Sequence, residues 1–245
     1  MINALRAEFR KLLTVRSTYI WTAFIFLLAA GIAFYGMGIK GGGGFTDTSM
    51  QSAILNMLSL VSLFVGIPAI LLICHEYRYN TISYTVAANN KPFNILIAKM
   101  VVTAIYAIVV AIVVAVLVLI SVALGLKAGH HVYVPQQFEF YSLVWKGTAF
   151  IVTSVWCALL FGLLFRNLVF TVVVYLILPT MAAPILTGLL KINPNYLLPS
   201  AQNQILASSA EQGIFSPLAS LGVVAAYLVI GGIIGSILFV QRDAK

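Results

Sequence analysis

HEYRYNTISYTVAANNKPFN, residues 75–94, separates two long apolar runs and carries a concentration of charge and hydroxyls found in no other connection of the chain. It is too polar to lie in lipid, so the runs on either side read as separate membrane-spanning helices. A bilayer core needs roughly 20 apolar helical residues. Working outward from this stretch, six runs meet that length: about Thr18–Ile39, Ser52–Cys74, Met100–Leu126, Leu143–Phe165, Leu168–Leu190 and Leu218–Val240. The expected fold is all-α and integral to a membrane, a single domain over residues 1–245.

Composition agrees. Of 245 residues, 62% are hydrophobic and 8% charged, whereas soluble domains carry about a quarter charged residues. The net charge of +8 does not suggest nucleic acid, because the basic residues stand at the ends of apolar runs and do not form a patch. Arg6, Arg10, Lys11, Arg16, Arg78, Lys91, Lys99, Arg166, Arg242 and Lys245 fall on one side, and only Lys40, Lys127, Lys146 and Lys191 on the other. The positive-inside rule then places both termini and residues 75–94 in the cytoplasm. The expected setting is a multi-pass protein of a bacterial plasma membrane. Cys74 and Cys157 lie in apolar runs and read as small hydrophobes.

Residues 1–16 form a separate element. Ile2, Leu5, Phe9, Leu12 and Leu13 recur at helical spacing, with Arg6, Arg10 and Lys11 largely on other faces. This points to a basic amphipathic helix lying flat in the membrane interface against lipid headgroups, the plainer alternative being a basic leader that only orients the first span. On the opposite side, Gly41–Gly44 reads as a flexible linker, and His130 and His131 as solvated loop residues. The segment 191–217 holds NPNYLLP (193–199) and then a stretch too short to span, expected to be a short helix or re-entrant hairpin.

What is missing narrows the function. The six acids Glu8, Asp47, Glu76, Glu139, Glu211 and Asp243 all avoid the middle of a predicted span, which disfavours an ion-coupled carrier. Lys146 reads as an anchor that snorkels to the interface. His75-Glu76 begins like a zinc-protease motif, but Tyr79 occupies the second histidine position. No nucleophile elbow, metal set or phosphate loop is found, so catalytic, cofactor and metal residues are all expected to be none. Any use of ATP has to come from another chain.

Within 75–94, Glu76, Arg78, Asn80, Thr81 and Tyr84 precede Asn89-Asn90-Lys91-Pro92, where a helix would end. Tyr79, Ile82 and Val86 would share one face of a helix over 78–88. From the residues alone, this is either a helix that enters a groove on a soluble partner or a plain connector.

The run from His75 to Lys99 resembles the first cytoplasmic loop of ABC transporter permeases of the type-2 exporter family. Glu76, Arg78, Thr81, Lys91 and Lys99 fit positions where that family carries an acid, a base, a hydroxyl and two further bases around a coupling helix. Asn80 stands where glycine is common, and asparagine also tolerates left-handed backbone. The resemblance implies a permease half-transporter that pairs with a second, identical or related permease chain. Each would dock a cytoplasmic ABC ATPase, which binds ATP and magnesium, through a coupling helix over 76–90. Segment 191–217 would act as an external lid. Gly231 and Gly235 make a small-xxx-small step for packing another helix, and Pro68, Pro179 and Pro184 are potential bends. Spans without buried charge suggest an exported lipid, peptide or drug-like molecule, apolar or amphipathic. The competing reading is a non-transporting membrane scaffold or immunity protein that binds a partner.

Overall fold

The computed structural model describes residues 2–41, 45–81, 92–135, 138–191, 193–207 and 215–243. Its helices are α1 (Ile2–Thr14), α2 (Arg16–Ile32), α3 (Asp47–Arg78), α4 (Pro92–Ala128), α5 (Phe140–Phe165), α6 (Leu168–Leu190), α7 (Leu198–Ile205) and α8 (Pro217–Asp243). α2 continues into a π-helical turn, Ala33–Ile39, and a 3-10 turn, Pro194–Tyr196, precedes α7. Two short strands, β1 (Phe45–Thr46) and β2 (Tyr133–Val134), pair in parallel, Phe45 with Tyr133 and Thr46 with Val134. By length and composition five helices can cross a membrane: Arg16–Ile39, Asp47–Arg78, Phe93–Ala128, Phe140–Phe165 and Pro217–Ile237. α6 is a further apolar helix of 23 residues.

α3 is the centre of the bundle. Between Asp47 and Tyr77 only Thr48, Ser52 and Asn56 are exposed, and α5 is its principal neighbour. Ile54, Val61, Val65 and Ile73 of α3 join Ile151, Val155 and Leu159 of α5 in one apolar core. The outer helices keep apolar faces turned away from it, as lipid-facing helices do. On α4 that face is Ile105, Val109, Ile112, Val116 and Ile120, at helical spacing.

Local sequence explains the helix ends. The Thr46 side chain caps α3 by accepting from the Ser49 N–H at 3.3 Å, and Asp47 in the first turn suits the positive helix end. Asn167 caps α6 by accepting from the Phe170 N–H at 3.2 Å. α4 begins at Pro92, where a missing N–H leaves no helical bond unmade.

Two ends of the bundle differ. At the proximal end lie α1, the end of α3 and the start of α4. At the distal end, β1 and β2 join the α2–α3 and α4–α5 connections, and Tyr133 donates its hydroxyl to Asp47. His131, expected to be solvated, is half-buried there, its ring nitrogen 2.8 Å from the Ile39 carbonyl. Residues 42–44 of the glycine linker lie outside the described residues.

The tightest helix crossing was not anticipated. Gly38, on the π turn, meets Gly125 of α4, and a Cβ on Gly38 would stand 2.6 Å from the Gly125 Cα. By contrast, Gly231 and Gly235 rest on Leu160 and Leu163 of α5, so their small-residue step serves packing inside the chain. Gly125→Ala is expected to destabilise the fold by about 1–3 kcal/mol through overpacking. Gly232→Ala, with nothing within 4 Å of its added methyl, should leave the melting temperature of the detergent-solubilised protein unchanged.

Candidate functional site

Four charged residues from three helices meet at the proximal end. α1 presents Ala4, Glu8 and Leu12 at four-residue spacing, and these are the residues that it buries. Glu8 therefore enters the bundle, 1% exposed, against Lys99 of α4 at 2% and Glu76 of α3 at 6%. Lys99 Nζ donates to Glu8 Oε2 at 2.6 Å and to Glu76 Oε1 at 2.8 Å. Lys11 Nζ donates to Glu8 Oε1 at 2.7 Å and to Glu76 Oε1 at 2.6 Å. The result is a closed ring of alternating charge, two acids and two bases, with no net charge. A lone ion at this depth would cost several kcal/mol in lost hydration, and the ring offsets that only as a set.

Burial works against the Lys11 ammonium, but hydrogen bonds and charge from Glu76 and Glu8 outweigh it and hold its pKa above the usual 10.5. Lys11 was expected at the lipid headgroups, and the structure turns it inward instead. Arg6, Phe9 and Arg10 remain exposed, as do Ile2 and Leu13, so α1 has a protein-facing stripe and a separate outer face.

The expected coupling helix is corrected in part. Glu76 and Arg78 belong to the last turn of α3, which runs on because no residue before Asn80 breaks it. The helix then closes in a Schellman motif. The Thr81 N–H donates to the Glu76 carbonyl at 3.0 Å and the Asn80 N–H to the Tyr77 carbonyl at 3.3 Å. This closure needs a left-handed residue, and Asn80 supplies it at φ 52°. A helix over 78–88 is therefore interrupted at 79–81. Tyr84 and Lys91, with Ile82 and Val86, lie outside the described residues.

The same ring carboxylate thus sits directly beneath an exposed tip. Arg78, Tyr79, Asn80 and Thr81 are all exposed, with Tyr79 at 64%. Arg166, ending α5, lies over the Tyr77 ring at 4.9 Å and steadies the tip from the other side. Beside it a groove of about 270 Å³ runs between Leu12 of α1 and Pro68, Leu71 and His75 of α3.

A family model described as ABC-2 family transporter protein matches residues 4–183. The chain belongs to that family. Among curated proteins none matches its sequence. The matched segment takes in all four ring residues and the tip. As an ABC-2 permease this is a multi-pass membrane protein, of a family that generally works with ABC ATPases. Neither Glu8 nor its pairing was read from the sequence. The available signal was a single acid in a basic segment, at four-residue spacing from Ala4 and Leu12.

Lys146 requires a second correction. It is buried in the permease, not snorkelling, because its ammonium donates to the Ala207 carbonyl at 2.8 Å and so ties α5 to the end of α7.

Removing one member of the ring, as in Lys99→Met, is expected to cost about 3–5 kcal/mol by leaving buried carboxylates uncompensated. The combined Glu8→Leu, Lys11→Met, Glu76→Leu, Lys99→Met permease should recover most of that loss, measured by thermal unfolding in detergent. The pH dependence has a defined sign. The folded pKa of Lys11 lies above its unfolded value, so its contribution is complete below pH 10.5 and is lost as pH climbs through the folded value. The melting difference between wild type and Lys11→Met should therefore stay constant from about pH 6 to 9 and shrink only at higher pH.

Proposed function

We propose that this ABC-2 permease is the transmembrane half of an ATP-driven exporter. On this reading the chain hydrolyses nothing itself. A separate cytoplasmic ABC ATPase holds ATP and magnesium, and two permease chains, identical or related, line the path. The observation that carries the proposal is the placement of the tip Arg78–Thr81 directly on a charge ring that binds α1, α3 and α4 together. A force applied at the tip reaches three helices at once, which is what coupling to an ATPase requires.

The proximal end is assigned to the cytoplasm, in line with the excess of basic residues there. α6 supplies the sixth span, and an even number of spans returns the C-terminus to the same side. α1 braces against the inner leaflet through Ile2, Phe9 and Leu13, with Arg6 and Arg10 towards headgroups. The substrate is amphipathic, in keeping with spans that combine a largely apolar core with buried hydroxyls such as Thr103, Ser121 and Ser154. The location follows as a bacterial plasma membrane.

The test separates docking from folding. Tagged wild type purified gently from its native membrane should retain a P-loop ATPase in stoichiometric amount. Arg78→Ala with Tyr79→Ala should lose that ATPase, or its stimulated hydrolysis, while keeping the wild-type melting temperature, because both side chains are exposed. Intact permease that retains no ATPase, and whose phenotype survives both substitutions, would instead favour the scaffold or immunity reading.

A further inference from the structure

α3 is the most enclosed of the candidate spans, yet the few side chains that it does expose are all polar. Thr48, Ser52 and Asn56 recur every four residues and so form one stripe. No large apolar side chain of α3 is exposed along Asp47–Arg78, whereas α2, α4, α6 and α8 all show such faces. The Thr48 and Ser52 hydroxyls have partners close by in the chain, but an Asn56 amide on a lipid-facing surface would have to find its own in hydrocarbon, which is costly. The stripe therefore faces something polar.

Of the cavities that open on it among the described residues, two adjoin one another. One, of about 330 Å³, lies between α3, α5, α6 and α7, and the other, of about 570 Å³, lies between α3 and the end of α7. Both are lined by Asn56, Ser59 and Asn203, so they meet along the stripe. Among the described residues, neither cavity is lined by a charged side chain. The hydroxyls of Ser52, Ser62 and Ser154 donate back to their own helices, at 2.9 Å, 2.6 Å and 2.8 Å, which leaves their lone pairs to the cavity. Side-chain amides add donors. The amide nitrogen of Gln51, in the larger cavity, is buried and has no hydrogen-bond partner among the described residues. A buried donor left unpaired is costly, and a ligand acceptor would remove that cost.

We infer that the two cavities form one distal binding site for an uncharged hydrogen-bonding group, built by α3 and roofed by α7. This deepens the exporter reading and rests on it for the amphipathic substrate. The site would take a neutral headgroup bearing hydroxyls or amides and refuse a full charge, since no described lining residue offers a counter-ion. Hydroxyl-rich amphiphiles and capped peptides share this chemistry. α7 is positioned to hold the roof, because Lys146 fastens Ala207 just beyond its end.

The test uses full-length Asn56→Cys permease in vesicles, together with any ATPase that copurifies. Cys74 and Cys157 are buried, so wild type serves as the unlabelled control. A membrane-impermeant thiol reagent should label the substituted position from the distal side. Octyl glucoside or an uncharged capped peptide should slow labelling about tenfold or more, and comparing the two assigns hydroxyl or amide preference. Octyl sulfate and octyltrimethylammonium at equal concentration should not. Gln51→Leu should raise the concentration of neutral probe needed by about tenfold while leaving ATPase retention unchanged. Equal protection by charged and neutral probes would overturn the inference, as would protection by neither. So would an unreactive thiol that instead forms a disulfide with a second copy on mild oxidation, since the stripe would then be an interface. Selective neutral protection without a retained ATPase would uphold the site and remove only the exporter reading.

Discussion

Three charges shut away from water, Glu8, Glu76 and Lys99, can remain charged only together with the partly exposed Lys11, and that requirement organises the proximal end of this protein. Glu8, Lys11, Glu76 and Lys99 come from three helices, and each base bridges both acids. Coulombic attraction in so dry a place is large, but so is the cost of drying the ions, and the two nearly cancel. What survives the cancellation is geometric. An amphipathic helix that could slide freely over a membrane surface is instead held at one azimuth and one depth, with Leu12 seated beside the end of α3. The same set of bonds fixes how far Lys99, early in α4, stands from Glu76 at the end of α3.

Between this ring and the distal end, α3 passes through a layer with almost no polar side chains. Val65, Ile67, Ala69, Ile70 and Ile73 are all buried there, and the few hydroxyls nearby are satisfied locally. Tyr175 of α6 reaches in to donate its hydroxyl to the Ser62 carbonyl at 2.6 Å, against Gly66, where no side chain larger than hydrogen would leave room. The ion-paired ring therefore lies at one end and the neutral polar stripe towards the other, where Asp47 and Lys146 are the buried charged residues that the structure describes. A dry partition of this kind keeps ions from leaking along the helix while leaving hydrogen-bonding chemistry available on the far side.

Much of the spanning architecture was legible because hydrocarbon tolerates so few residue types. Arg16, Lys40, Arg78, Lys127 and Arg166 mark where apolar runs must stop, and the helices end within a few residues of where the runs predict. Asn80 was legible as a residue able to take left-handed backbone, and it does. The ring was not, because nothing local distinguishes a glutamate that will be buried from one that will be solvated. Two of the ring's four ion pairs, Lys11 with Glu76 and Glu8 with Lys99, join residues 65 and 91 positions apart along the chain. Lys146 misled for a related reason: a lysine near a span end snorkels by default, unless the fold brings it a carbonyl, and Ala207 lies 61 residues further on. The stripe of Thr48, Ser52 and Asn56 was visible as composition, but its exposure depends on which neighbours leave α3 uncovered.

The short parallel pairing of Phe45–Thr46 with Tyr133–Val134 has a mechanical consequence. α3 and α4 are fastened to one another at both ends, by charge at one and by backbone hydrogen bonding beside Asp47 at the other. Two rails joined by two rungs make a truss, which resists shear far better than either rail alone. α6 and α8 have no such double fastening among the described residues: α6 meets α3 through Tyr175, and α8 rests on Leu160 and Leu163 of α5. α3 covers about 48 Å between the two fastenings along its 32 residues, and Pro68, which removes one hydrogen bond of its ladder, is the place where bending along it concentrates. For the exporter proposed above, this frame is the lever arm, and the helices packed against it are the parts left behind.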